Sequence, residues 1–218
     1  MPGIGDYNLS MNLGQTADAP PLPETLDVAL KEWAVAVRAL REGRQVMLLR
    51  KGGILDAGGQ FEVEARDVLL FPTYLHEDEQ LGSLQPCYGA WVAEEGSRRA
   101  AGEAIRIDAW ARITDVVSVA HPEELYRLSS QHIYSDKFLK YRIENEPQKP
   151  LYAVFLRTYA LPRSVVVGME PNYYGCKSWI TLESVLDTAG SVPCMGDHAY
   201  EAHVRVTADR LSHGSRVA

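Results

Sequence analysis

Hydrophobic positions in this chain fall into short blocks set apart by glycine, proline and charged turns. The first block places Trp33, Val37 and Leu40 at helical spacing, with Leu26, Leu30 and Ala34 nearby. That spacing predicts a helix over 25–42, capped by Thr25 and stopped by Gly43. Residues 45–50 then read as a strand, and Gly52-Gly53 and Gly58-Gly59 bracket a loop. Residues 61–64 alternate like a strand, and 68–71 form a short apolar strand that Pro72 is expected to end. Residues 77–103 are polar and irregular, with 94–102 reading as a surface excursion.

The longest strand signal runs over 105–119. Ile105, Ile107, Ala109, Ala111 and Ile113 fall on one face, and Arg106, Asp108, Trp110 and Arg112 on the other. A strand of that length bends, bulges or serves two sheets. Pro122 opens a helix through Leu125 and Leu128, and a second helix covers 135–143. Strands over 151–159, 165–167 and 180–186 follow. Strands and helices do not alternate regularly, which excludes a doubly wound parallel sheet. The expected fold is α+β: a curved, mostly antiparallel sheet or a small β-barrel, with helices packed on it. Residues 1–24, with four prolines and no apolar period, are expected to form a flexible tail. Residues 25–190 form one α+β domain in this reading, and 191–218 a C-terminal extension.

Composition narrows the setting. The chain has 218 residues, 46% of them hydrophobic, which suits one domain with tails. No apolar run approaches the roughly 20 residues that span a bilayer. The start lacks a basic region followed by an apolar stretch, so no secretory signal and no membrane association are expected. Cys87, Cys176 and Cys194 are odd in number and show no CxxC spacing, which points to thiols in a reducing, cytoplasmic setting. The net charge of −7 excludes wholesale attraction to nucleic acid. Charge is uneven, however. Lys137, Lys140, Arg142, Lys149, Arg157 and Arg163 face only Glu144 and Glu146 in their stretch, which marks that half as the basic face.

Candidate chemistry sits where the strands end. Arg50-Lys51-Gly52-Gly53 pairs two cations with a glycine turn whose N–H groups suit an anion, against the plainer reading of a solvated turn. Thr73, Tyr74 and His76 follow another strand, and Cys176-Lys177-Ser178-Trp179 follows a third. Arg142 and Arg157 offer forked contacts to phosphate, or internal ion pairs with Glu32 or Asp108. His76 and His132 suit acid/base work if the protein is an enzyme, or structural hydrogen bonding if not. Tyr74, Trp110 or Tyr134 are candidates to stack a base. Carboxylates at Glu62, Glu64, Asp67, Glu77 and Asp78 make no recognisable metal pattern, and no zinc spacing is present.

These cassettes resemble a bacterial family described as domain of unknown function 1802. The resemblance is carried by Ala29-Leu30-Lys31-Glu32-Trp33, Leu48-Leu49-Arg50-Lys51-Gly52-Gly53-Ile54, Phe71-Pro72-Thr73-Tyr74-Leu75-His76 and Ile107-Asp108-Ala109-Trp110-Ala111. It continues through His132-Ile133-Tyr134, Leu156-Arg157-Thr158-Tyr159 and Tyr174-Gly175-Cys176-Lys177-Ser178-Trp179. It covers 26–182 and implies company with restriction-modification proteins, hence with nucleic acid. The opening also resembles PUA-like domains such as ASCH and EVE, small barrels that bind RNA or modified bases. Gly43-Arg44-Gln45 departs from the ASCH glycine-lysine-glutamate signature.

Three readings stay open at this level. The first is an anion-binding domain for DNA, RNA, a nucleotide or a modified base, built from Arg50, Lys51, Gly52, Gly53, Thr73, Tyr74, Arg142, Arg157, Lys177 and Ser178, with no cofactor. The second is a nuclease or phosphodiesterase using His76 and His132, with Mg or Mn only in that case. The third is a non-catalytic scaffold. The anion-site reading requires the tips of Arg50, His76, His132, Arg157 and Lys177 to converge on one concavity.

Overall fold

The computed structural model describes residues 20–51, 63–74, 82–98 and 104–214. The predictions for Gly52, Gly53 and His76 lie outside these residues, as do most of the tail expected over 1–24 and half of the strand expected over 61–64, whose described residues, 63 and 64, are not in a strand.

The sequence from Thr25 to Arg41 is not one helix. Thr25–Trp33 is a strand, β1, and the helix α1 covers only Ala34–Arg41. The helical spacing of Trp33, Val37 and Leu40 is real, but it belongs to the second half. In β1, Ala29 and Leu30 are both fully buried, one against each of two hydrophobic clusters. A strand covered on both faces loses its alternation, so periodicity cannot separate it from a helix.

Strand β2 is Met47–Lys51 and β3 is Asp67–Thr73. β3 runs through Pro72 rather than stopping before it. β4 pairs only with Asp67–Leu69, so Pro72 lies where a single neighbour, β1, is present. Helix α2, Ala90–Arg98, occupies the stretch expected to be an irregular excursion. Few of its residues are apolar, and charge helps to hold it. Arg38 of α1 bonds Glu94 at 2.7 Å and lies 4.1 Å over the Trp91 ring.

Strand β4, Ile105–Ser118, matches expectation in extent. The helices α3, Glu124–Arg127, and α4, Asp136–Glu144, follow. β5, Leu151–Val167, joins two expected strands into one, and β6 is Trp179–Asp187. A two-residue strand β7, Val192–Pro193, precedes helix α5, Asp197–His213. The region read as a C-terminal extension thus carries a helix whose Tyr200, Val204, Ala208 and Leu211 join the same core as β4 and β5.

The seven strands form one sheet, ordered β2-β5-β4-β3-β1-β6, with β7 beside β5. Only β1 and β3 run parallel. The α+β, mostly antiparallel expectation holds. The ladder between β4 and β5 shifts register after Ile107 and again after Ile113. At the first shift the faces exchange. Ile105 and Ile107 pack with Trp110 in the smaller cluster, while Ala109, Ala111 and Ile113 enter the larger one. Trp110 is therefore fully buried, stacked 4.3 Å from Tyr159, and is corrected from a base-stacking candidate to a core residue.

Candidate anion-binding cleft

The end of β1, the end of β2, helix α4 and the loop before β6 enclose a cleft of about 230 Å³. β1 contributes Lys31, Glu32 and Trp33, and β2 contributes Leu49 and Arg50. Phe138 and Arg142 are four residues apart on α4 and so share a face. Ser135 caps that helix by accepting the Phe138 N–H at 3.2 Å. The opposite wall is Gly175-Cys176-Lys177-Ser178. Gly175 has φ +87°, a turn that a side chain would strain.

The loop is tied to β1 twice. The Lys31 backbone N–H donates to the Ser178 carbonyl at 2.9 Å. The Lys31 ammonium donates to the carbonyls of Tyr173 and Gly175 at 2.7 and 2.8 Å. Burial chiefly lowers the Lys31 pKa, with the Lys177 charge adding to the effect and Cys176 opposing it. On the other wall Arg50 bonds Glu32 at 2.8 Å and the Lys31 carbonyl at 3.1 Å. The second Glu32 oxygen accepts the Trp33 N–H at 2.8 Å, and Thr73 donates to the Glu32 carbonyl at 3.1 Å.

Arg142 lacks an ion pair of the kind Arg50 makes with Glu32. No carboxylate among the described residues lies within ion-pair reach of it, and its Nε is buried without a hydrogen-bond partner. Its guanidinium lies 5.2 Å over the Phe138 ring. Burial first, then the neighbouring Arg50 charge, lowers its pKa below that of an ordinary arginine. Trp33, Phe138 and Tyr134 form an aromatic floor, with ring centroids 5.5 Å and 4.7 Å apart along the series. Among the described residues four cations, Lys31, Arg50, Arg142 and Lys177, thus line the cleft with one carboxylate, Glu32. Local charge is positive although the chain carries −7 overall.

The structure brings together Arg50, Thr73, Arg142, Lys177 and Ser178 among the expected anion-binding residues. It does not bring Lys51, Tyr74 or Arg157 there, and Gly52 and Gly53 lie outside the described residues. Lys51 turns away and donates to the carbonyls of Ile143, Asn145 and Glu146 at the C-terminal end of α4. It positions the helix that carries Arg142. Arg157 is buried but is paired at 2.5 Å with the exposed Asp197 at the start of α5, so its charge already has a carboxylate partner within the chain. Tyr74 lines two neighbouring cavities instead of the cleft.

His132 is 1% exposed and is corrected from acid/base candidate to structural residue. Its Nε2 lies 2.9 Å from the Leu125 carbonyl and its Nδ1 accepts the Tyr134 N–H at 3.2 Å. Both ring nitrogens are used, and burial lowers its pKa. Of the five tips expected to converge, Arg50 and Lys177 line the cleft, His132 and Arg157 do not, and His76 is outside the described residues. Sequence reasoning missed Lys31, Glu32, Trp33 and Phe138 as site residues. The adjacent charges Lys31-Glu32 beside buried Leu30 were the available signal, hidden by the helix assignment. Among the described residues no cluster of three or more His, Cys, Asp or Glu is placed to hold a metal ion. No described helix is long and apolar enough to cross a membrane.

Fold and cleft together define an α+β protein with a cationic, aromatic-floored cleft at one end of its sheet. The chain belongs to the family described as domain of unknown function (DUF1802), whose model matches residues 29–206. No curated protein matches it. Among solved structures it is similar to the ASCH protein of Zymomonas mobilis, at 11% identity and a TM-score of 0.41, covering 72% of this chain and 87% of that one. It is also similar to a serine-to-alanine mutant of that protein, with 11% identity, a TM-score of 0.42 and coverage of 85% and 98%.

Proposed function

We propose that the cleft binds the phosphate of a nucleic acid or nucleotide, in a cytoplasmic setting and without a cofactor. The observation that carries this reading is Arg142, a guanidinium held against an aromatic floor beside Arg50, with no carboxylate among the described residues within ion-pair reach. A half-buried arginine that only served the fold would be expected to have an anionic partner, as the more deeply buried Arg112 does in its 2.6 Å bond to Asp67. A forked anion from outside completes the arrangement. Lys177 and Ser178 stand across the cleft as further donors to such an anion. The described cysteines are all free thiols, in keeping with a reducing compartment.

The test is a titration of labelled single-stranded DNA, duplex DNA and RNA at several salt concentrations. Binding with a negative salt slope is expected. Arg142→Ala is expected to weaken it roughly 10- to 150-fold, the range for a hydrogen bond to a charged group. The absence of binding at low salt, or equal binding by the variant, overturns the proposal.

A further inference from the structure

A second cavity of about 120 Å³ adjoins the cleft. The two share Lys31, Thr73 and Gly175 in their walls. In that shared wall the Lys31 ammonium is engaged by the carbonyls of Tyr173 and Gly175. Beyond that wall the chemistry changes. Phe71, Ile105, Met169, Tyr173 and Tyr174 replace the cations of the cleft. Phe71 and Tyr173 meet edge to face at 5.9 Å, and Tyr173 is fixed because its hydroxyl accepts the Glu183 N–H at 2.8 Å. Tyr174, half exposed, stands at the same cavity.

We infer that this cavity takes an unpaired nucleobase whose own phosphate lies in the cationic cleft. The inference rests on the phosphate reading above and names the ligand more narrowly. A phosphate and its base are joined through one sugar, so they need an anionic and a flat apolar site side by side. The adjoining cleft and cavity have that order. A base paired within a duplex cannot enter a cavity lined on several sides, so the chemistry recognised is that of a single strand or a free nucleotide.

The experiment uses the full chain and four probes: labelled oligo(dT), an abasic deoxyribose-phosphate strand of equal length, a duplex, and AMP as competitor. Oligo(dT) is expected to bind roughly 5- to 150-fold more tightly than the abasic strand, the equivalent of one stacked base. Tyr174→Ala and Met169→Trp, which open and fill the cavity, are each expected to bring that ratio toward one. Effective competition by AMP supports a free nucleotide as the occupant, and tighter binding of the strand supports a polymer. Equal binding of oligo(dT) and the abasic strand overturns this inference while leaving the phosphate site standing. Tighter binding of the duplex also overturns it. Binding of neither strand at low salt overturns the phosphate reading and this inference with it.

Discussion

Replacing Arg142 by methionine is expected to make the protein more stable and less able to bind. Most buried arginines behave in the opposite way, because their removal strands a carboxylate. Arg142 has no such partner among the described residues, and after burial the largest influence on its charge is the cation of Arg50, ahead of the opposing Glu32. Methionine keeps an unbranched stem against Phe138 and removes the desolvated charge. What is lost is the contact with the Phe138 ring at 5.2 Å, worth about 0.5–1 kcal/mol. What is gained is relief from burial and from like-charge repulsion, so a net stabilisation of about 1 kcal/mol is expected. For a domain of this size that raises Tm by about 2–4 °C. Scanning calorimetry with and without inorganic phosphate is the assay. Phosphate at about 100 times its Kd adds roughly 2.7 kcal/mol to a protein that binds it only when folded. That gain is expected in the wild type and is expected to shrink in Arg142→Met. A variant that loses 1 kcal/mol or more and still responds to phosphate like the wild type refutes the argument.

Two further predictions concern residues moved from the site to the framework. His132 is buried neutral, and an added proton on Nδ1 would face the Tyr134 N–H it now accepts from. Its folded-state pKa lies below 6.5, so the unfolded chain takes up the proton first as pH falls. Its stability contribution is complete above about pH 6.5 and is lost as pH falls through the folded-state pKa, with a slope of at most ~1.36 kcal/mol per pH unit. Urea midpoints between neutral and mildly acidic pH measure it, and an unchanged slope in His132→Gln counts against the assignment. Lys51→Met is expected to cost about 0.5–1.5 kcal/mol by removing the donor to part-buried carbonyls at the end of α4. Circular dichroism melting checks this, and an unaltered melting curve would place Lys51 outside the helix cap.

Much of the sheet was legible because β4 and the paired length of β5 keep β-branched and aromatic residues in runs bounded by proline. β1 was not, since burial on both faces erases its period and the true helix just after it lends it a false one. α5 was readable in principle: Tyr200, Val204, Ala208 and Leu211 recur at helical spacing, yet its polar surroundings masked them. In the cleft, Arg50, Lys177 and Ser178 were found because polar residues at strand ends are conspicuous, and Arg142 because it stands in a basic stretch. Arg157 and His132 looked the same in sequence. Only packing shows that Asp197 neutralises one and that backbone groups consume both nitrogens of the other. Lys31 has the reverse history, an unremarked residue that three-dimensional proximity makes the partition between two cavities.

The Lys31 tether also sets an order of events at the ribosome. Its ammonium binds carbonyls that lie 142 and 144 positions later in the chain. At about 5–20 residues per second, a nascent chain spends roughly 7–30 s with Lys31 synthesised and its partners still missing. During that interval β1 lacks β6, its antiparallel neighbour, as well as the loop that walls the cleft. The cationic trough is therefore completed only after residues 173–178 have been made. A product truncated before Tyr173 would carry Arg50 and Arg142 with one side of their enclosure absent.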